Sequence, residues 1–140
     1  MQLTNIETIQ KFTLAGNATV TLVSEKTGNR FTFKVRQSKP NADGSQVHFV
    51  GVLTGSDNTS NYSYLGILSQ NQFRRTAKSA IGADAPSAKA AEWAFNRILQ
   101  GVLPQGLQVW HEGKCGRCGR KLTVPSSIES GIGPECAGKL

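Results

Sequence analysis

The sequence predicts an α+β fold: an antiparallel β-meander packed by one helix, followed by a small C-terminal zinc-finger module. Three observations support this prediction. Short segments alternate apolar and polar residues, one segment carries a helical apolar pattern, and all three cysteines lie in the last quarter of the 140-residue chain. A chain of this length forms one ordinary domain, with or without a small appendage. We therefore expect a β-rich body over residues 1–106 and a zinc-knuckle module over residues 107–140.

The strands of the body are predicted from period-two alternation. In the clearest hairpin, Ala18, Val20 and Leu22 alternate with threonines on one strand, and Phe31 and Phe33 alternate with polar residues on the next. Strands are predicted over residues 17–23, 31–36, 47–53 and 62–68, with a polar turn over 55–61. Local loops rich in glycine, asparagine and serine join the strands, which predicts antiparallel pairing in chain order.

One helix is predicted over about residues 86–100. Pro86 suits its first turn, Asp84 or Ser87 can cap its start, and Gly101 ends it. Its apolar residues recur at helical spacing and are expected to pack on the sheet: Ala91, Phe95, Ile98 and Val102.

Charge and the absence of targeting patterns narrow the function classes. Sixteen Lys and Arg against nine Asp and Glu give a formal net charge of +7, which favours an anionic partner, nucleic acid above all. No apolar run is long enough for a transmembrane helix, and the first residues show no secretory signal pattern. Three cysteines cannot close a disulfide framework. We therefore expect a cytoplasmic protein that does not act at a membrane.

The cysteines lie in the motif His-x3-Cys-x2-Cys-x17-Cys, formed by His111, Cys115, Cys118 and Cys136. Zn²⁺ in structural sites takes four nitrogen or sulfur ligands, and three cysteines with one histidine are a standard set. The motif therefore predicts one Zn²⁺ ion with His111 as its fourth ligand. Glu112, Glu135 or a water molecule are the alternatives for the fourth position.

Two alternatives to a zinc site are a redox pair and inert thiols. A thioredoxin-type Cys-x2-Cys pair opens a helix after a strand in a βαβ unit, and no such unit is predicted here. Free cysteines are typical of apolar cores, whereas these lie among glycine, arginine and lysine. Zinc binding is the interpretation that the sequence favours.

From Cys115 the chain reads Cys-Gly-x-Cys-Gly-Arg-x-Leu-Thr-x-Pro-x-Ser-Ile, and Gly-Ile-Gly-Pro-x-Cys follows and ends at Cys136. This pattern resembles a zinc-binding family of unknown function that occurs in bacteriophage and bacterial proteins. The resemblance implies a zinc site and a phage or bacterial setting. It brings no established activity.

Nothing in the sequence predicts catalysis. The body has one histidine, His48, in an apolar strand, and no Ser-His-Asp arrangement, phosphate-binding glycine loop or paired carboxylates at an interpretable spacing. A zinc ion with four protein ligands has no vacant position for hydrolysis. We therefore expect that the protein is not an enzyme.

Basic clusters predict a nucleic-acid-binding protein. The cations expected to contact phosphates are Arg30, Lys34, Arg36, Arg74, Arg75, Lys114, Arg117, Arg120 and Lys121. Tyr62, Tyr64 or Phe73 could stack on bases.

Two other interpretations of the same cations remain open. The clusters can be solvated faces in which Arg117 or Arg120 pairs with a nearby glutamate. The protein can also be a phage-encoded factor that binds a host protein complex, to inhibit a defence complex or to redirect a host enzyme. Small size and a zinc-stabilised module suit such an interaction protein equally well.

Overall fold

The structure, a computed structural model, describes residues 1–55 and 61–138. Within them the chain forms seven strands and four helices. In chain order these are β1 (Gln2–Leu3), α1 (Ile6–Thr13), β2 (Asn17–Ser24), β3 (Arg30–Gln37), β4 (His48–Leu53), β5 (Tyr62–Ser69), β6 (Gln72–Arg75), α2 (Pro86–Leu99), β7 (Leu107–His111), α3 (Pro125–Ser130) and α4 (Pro134–Ala137). The predicted α+β class is confirmed. Most of the predicted polar turn, residues 56–60, lies outside the described residues.

All strands belong to one antiparallel sheet with the order β1-β7-β2-β3-β4-β5-β6. Strands β2 to β6 form a meander, as the alternation and the short loops predict. β7 then returns to the free edge of β2, and β1 adds outside β7. Strands β1, β6 and β7 and helix α1 are additions that the sequence did not predict.

Residues 107–111 lie inside this sheet. Val20 is opposite His111 and Ser24 is opposite Leu107, so β7 pairs along the outer edge of β2. The predicted boundary between residues 106 and 107 therefore falls within the sheet. The segment that carries the cysteines begins after β7, and we call residues 112–138 the cysteine segment.

One face of the sheet packs on α1 and α2 and forms the core. The ring of Phe33 in β3 meets the edge of Phe95 in α2 at 5.4 Å between centroids, and Phe73 in β6 contacts the same ring at 6.2 Å. Ile9 and Phe12 of α1 are fully buried in the same core. Burying several large side chains in this way supplies the main stabilising free energy, about 1.5–3 kcal/mol for each.

The opposite face is formed by the residues that alternate with the core residues. We call it the open face, and its members include Thr19, Thr21, Lys34, Arg36, Phe49, Tyr64, Ile67, Arg74 and Trp110. Apart from the buried Thr21, these side chains are half-buried or exposed.

The helix starts differ from their predictions. α1 is capped by Asn5, whose Oδ1 accepts from the N–H groups of Glu7 at 2.9 Å and Thr8 at 3.1 Å. α2 begins at Pro86 as predicted, but its N-cap is Ala85 and no side chain caps it. Proline at the first position has no N–H group to satisfy, so a side-chain cap matters less there.

The C-terminal end of α2 also differs from its prediction. Ala91, Phe95 and Ile98 are buried as expected, but Val102 lies beyond Gly101 and is 48% exposed. No helix in the described part of the chain is long and apolar enough to cross a membrane.

Candidate metal centre and basic surface

The structure brings the three cysteines together. The Sγ atoms of Cys115, Cys118 and Cys136 all lie within 4.8 Å of one another. Two thiolates on one tetrahedral zinc ion lie about 3.8 Å apart, given Zn–S bonds of about 2.3 Å. The cluster therefore has the composition and the size of a site that could hold a metal ion.

Local backbone structure presents these thiols. The N–H of Gly119 donates to Cys115 O at 2.9 Å, and the N–H of Cys115 donates to Arg120 O at 2.8 Å, which closes a tight knuckle. Gly119 takes a φ of +79°, a conformation that favours glycine. Pro134 begins α4, the short helix that presents Cys136, and proline suits the first turn of a helix.

Hydrogen bonds to sulfur favour the thiolate form of Cys115, whereas burial raises the pKa of Cys136. Cys115 Sγ accepts from the N–H groups of Gly133 at 3.2 Å and Arg117 at 3.4 Å. Burial alone would raise the pKa of Cys115, but the N–H bonds from Gly133, Cys118 and Arg117 outweigh it and lower this pKa to about 7. Arg117 Nη1 also lies 3.9 Å from Cys136 Sγ. Because thiolate is the form that binds metal, the contacts of Cys115 suit it to a cation such as Zn²⁺.

The cysteine segment is packed on the body and is not a free appendage. Asn17 N–H at the start of β2 donates to Gly116 O at 2.7 Å, and Gly116 N–H donates to Gly131 O at 2.8 Å. Both glycines lie against the ring of Phe12. A Cβ atom would lie 2.7 Å from Phe12 Cδ1 at Gly116 and 2.5 Å from it at Gly131. Only glycine allows the segment to approach α1 this closely.

The structure does not bring His111 to the cysteine cluster. The side chain is buried, and its Nδ1 accepts from Gly113 N–H at 2.9 Å while its Nε2 hydrogen-bonds Ile128 O. Nε2 therefore ties the end of β7 to α3, and Nδ1 holds the turn that follows β7, so both ring nitrogens are engaged. Among the described residues, the group of possible metal ligands contains the three cysteines and no fourth side chain.

The two alternative carboxylates are also engaged elsewhere. Glu112 accepts a hydrogen bond from the Thr21 hydroxyl in β2. Glu135 forms an ion pair with Arg120 at 3.9 Å, in which both side chains are about 80% exposed. An exposed pair of this kind contributes little to stability. The pair agrees with the interpretation in which Arg120 belongs to a solvated face and pairs with a nearby glutamate. Arg117 instead lies beside the thiols.

Three of the predicted phosphate-binding cations lie near enough for their charges to interact. Burial lowers the pKa of Lys34, and the nearby charges of Arg36 and Lys114 lower it further. Lys34 Nζ also lies 5.0 Å from the centre of the Tyr62 ring. Lys34 and Arg36 project from β3, whereas Lys114 comes from the cysteine segment, so folding brings together charges that are distant in sequence.

The other predicted cations are more dispersed. Arg74 lies on β6 at the far side of the open face, and Arg30 is exposed at the start of β3. Arg75 Nη1 donates to Ile81 O at 3.1 Å and so serves the fold locally. Lys121 faces Lys114 across an isolated antiparallel bridge of the knuckle.

The aromatic residues that could stack on bases also differ from those that the sequence predicts. Phe73 is buried against Phe95, so the structure removes it from the residues that could stack on bases. Phe49 on the open face was missed, although it is 46% exposed. Its alternation with Val50 within β4 was the signal that would have placed it on a face opposite the core.

Comparison with known proteins gives one result. Residues 108–140 match the sequence model of a family of unknown function, DUF6011. The match spans the cysteine segment and most of β7. Searches of the curated proteins and of the solved structures return no match to this chain. The C-terminal part of the chain is thus similar to DUF6011, a family whose function is not known.

Proposed function

We propose that this protein binds nucleic acid without catalysis, through the cations of the open face and of the cysteine segment. The observation that carries the proposal is that Lys34 and Arg36 share the open face of β3, where the charge of Lys114 from the cysteine segment also acts on Lys34. Like charges held close together repel one another, and a polyanion removes that repulsion while releasing its own counterions.

The surrounding charges support an anionic ligand. The chain carries a formal net charge of +7, and Lys34, Arg36 and Lys114 are not among its ion pairs within the described residues. Glu112 lies near this surface, but its carboxylate is held by Thr21. This carboxylate lessens the positive potential near Thr21 and Tyr62.

The metal in this proposal is Zn²⁺, held by Cys115, Cys118 and Cys136, with water, the remaining alternative, as the fourth ligand. Bound zinc would fix the knuckle and stabilise a segment too short to fold by apolar burial alone. The knuckle residues Lys114 and Arg117 would then be held beside the sheet instead of moving freely. The cytoplasm of a phage-infected or bacterial cell is the setting that we propose.

Fluorescence polarisation with labelled single-stranded and duplex oligonucleotides at about 50 and about 200 mM salt tests this proposal. The double variant Lys34→Ala/Arg36→Ala should bind more weakly, and its salt slope should fall by roughly 0.7 for each lost contact to a single strand. The matched control is Lys11→Ala/Lys89→Ala, which removes two exposed cations from the helices that cover the other face.

Two results would contradict the proposal. Absence of binding at low salt to any oligonucleotide, by protein that carries its metal, would overturn nucleic-acid binding. Equal losses in the two double variants would show that net charge, and not the open face, sets the affinity.

A second candidate function is binding to a host protein, and one observation favours it. Trp93 on α2 is 43% exposed beside a recess of about 240 Å³ lined partly by Phe31, Pro86 and Leu107. Exposed tryptophans beside apolar recesses are typical anchors of protein interfaces. Under this alternative, Trp93→Ala should abolish capture of a specific host complex while Lys34→Ala/Arg36→Ala retains it.

A further inference from the structure

A row of four directly opposed residues crosses the open face. Arg36 in β3 is opposite Phe49 in β4, Phe49 is opposite Ile67 in β5, and Ile67 is opposite Arg74 in β6. Neighbouring strands lie about 4.8 Å apart, so two apolar side chains lie between two cations over about three strand spacings. An apolar surface bordered by positive charges is complementary to a ligand whose apolar rings are joined by anionic groups.

Phe49 is the centre of this row. It is a large apolar side chain that is 46% exposed, although its neighbour Val50 is fully buried. The Phe49 ring meets the Tyr64 ring edge to face, with centroids 6.2 Å apart and an interplanar angle of 71°. A hydrogen bond of 2.9 Å between Tyr64 Oη and Thr76 Oγ1 holds Tyr64 in place.

The residue opposite Tyr64 has no side chain that would rise from the sheet beside the Phe49 and Tyr64 rings. That residue is Gly51, which lies between Lys34 and Tyr64 in the next row of the open face. A Cβ at Gly51 would make only ordinary contacts, the nearest at 3.4 Å from Tyr62 Cβ. The glycine is therefore not required by crowding, and it places no side chain between Lys34 and Tyr64 on the open face.

Tyr62 has a different role from Phe49. The ammonium of Lys34 lies over its ring, and the Tyr62 hydroxyl is buried without a hydrogen-bond partner among the described residues. One face of the ring is thus occupied by Lys34. Tyr62 positions this cation, and the aromatic surface available to a ligand is that of Phe49 and Tyr64.

We propose that the open face takes single-stranded nucleic acid, with unpaired bases stacked on Phe49 and Tyr64 and phosphates at Arg36, Lys34 and Arg74. The inference rests on the proposed nucleic-acid binding and deepens it. Stacking on a side chain needs a base whose face is free, and the bases of a duplex are stacked on one another. Every base has such a face, so this surface binds without strong sequence preference.

The test compares Phe49→Leu with the matched control Trp93→Leu in the full-length, metal-loaded protein. Both changes replace an exposed aromatic ring with an aliphatic side chain, one on the open face and one on α2. The probes are fluorescein-labelled oligothymidylate and oligouridylate of about 16 nucleotides, and a mixed-sequence duplex of the same length. Phe49→Leu should weaken binding of the single strands about tenfold and leave the salt slope unchanged, because no phosphate contact is lost. Trp93→Leu should bind as the wild type does.

A further variant separates stacking from folding. Phe49→Tyr keeps an aromatic face and should retain wild-type affinity, whereas a general disturbance of β4 would weaken both Phe49 variants. Wild-type affinity of Phe49→Leu, or tighter binding of the duplex than of either single strand, would overturn the single-strand inference. If Lys34→Ala/Arg36→Ala still weakens binding in that case, the proposed function stands. If no oligonucleotide binds the wild type at low salt, both proposals fail.

Discussion

At the scale of single residues, the contacts of two glycines with Phe12 join the cysteine segment to the body. Gly116 and Gly131 let the backbone of the cysteine segment lie directly on Phe12 of α1. Phe12 is itself fully buried and lies 5.8 Å from the His111 ring, measured between centroids. One aromatic side chain thus contacts the body, the end of β7 and the cysteine segment.

Gly131→Ala should lower the free energy of unfolding by about 2–4 kcal/mol. Its φ of +76° costs an alanine about 1 kcal/mol, and the overlap of Cβ with Phe12 Cδ1 adds the usual cost of overpacking, about 1–3 kcal/mol. The control is Gly113→Ala, which has a φ of +80° and no atom within 4 Å of the added Cβ, so only the backbone cost applies. Urea unfolding measures both variants. Equal destabilisation would show that the contact with Phe12 is not tight.

The sequence predicted the cysteine cluster correctly but not the position of His111. A Cys-x2-Cys pair is a local feature, because both thiols come from one knuckle whose geometry its own glycines allow. His111 belongs to β7, and its side-chain direction is set by the pairing of that strand with β2. That pairing joins segments distant in sequence, so the motif spacing carried no information about it.

At the scale of elements, the strands with strict alternation were predicted and the short elements were not. β2, β3, β4 and β5 each have enough residues for the period to be visible. α1 has eight residues, and a helix of that length is stable only through tertiary packing, here of Ile9 and Phe12. β7 also alternates, but it precedes the cysteines directly and was grouped with them. The cations of the open face were predicted, but its aromatic residues were not predicted correctly. Phe49 was missed, and Phe73 was wrongly included.

Helix α4 has four residues, so its folding depends on contacts outside it, with the body and, in our proposal, with bound zinc. Cys136→Ser should reduce bound zinc from about one ion per chain and lower the free energy of unfolding by roughly 4 kcal/mol or more, as expected for loss of a metal site. Because the segment packs on Phe12, we expect one cooperative unfolding transition at a lower temperature.

Glu135→Gln is the control for Cys136→Ser, since it changes the neighbouring residue of the same helix and removes only an exposed ion pair. It should keep the zinc content and the unfolding temperature of the wild type. Metal analysis and calorimetry measure these quantities. Two separate transitions in Cys136→Ser, with the body unchanged, would show that the segment and the body are energetically independent.

At the scale of the whole molecule, β7 joins β1 to the meander within one sheet. Val109 in β7 is fully buried in the core, and its backbone pairs with Leu22 in β2 and Leu3 in β1. The sheet thus has no boundary at which a module beginning at residue 107 could separate from the body.

Val109→Asp should unfold the entire chain, since an unpaired carboxylate in an apolar core costs several kcal/mol, comparable with the total stability of a small domain. Gln108→Lys, at the half-buried neighbouring position beside Glu25, should remain folded. Amide spectra of β3 and β4 distinguish the outcomes. A Val109→Asp protein with native signals from those strands would contradict a single cooperative sheet.

The location of β7 between β1 and β2 also affects the order in which the chain can assemble during synthesis. The meander β2–β6 consists of neighbours in sequence and can form as it leaves the ribosome, but β1 has no partner until residues 107–111 have emerged. Until then the outer edge of β2 is unpaired, and an unpaired edge can join to another nascent chain. Closing the sheet is therefore a late, long-range step, and the high contact order of this closure is expected to set the folding rate.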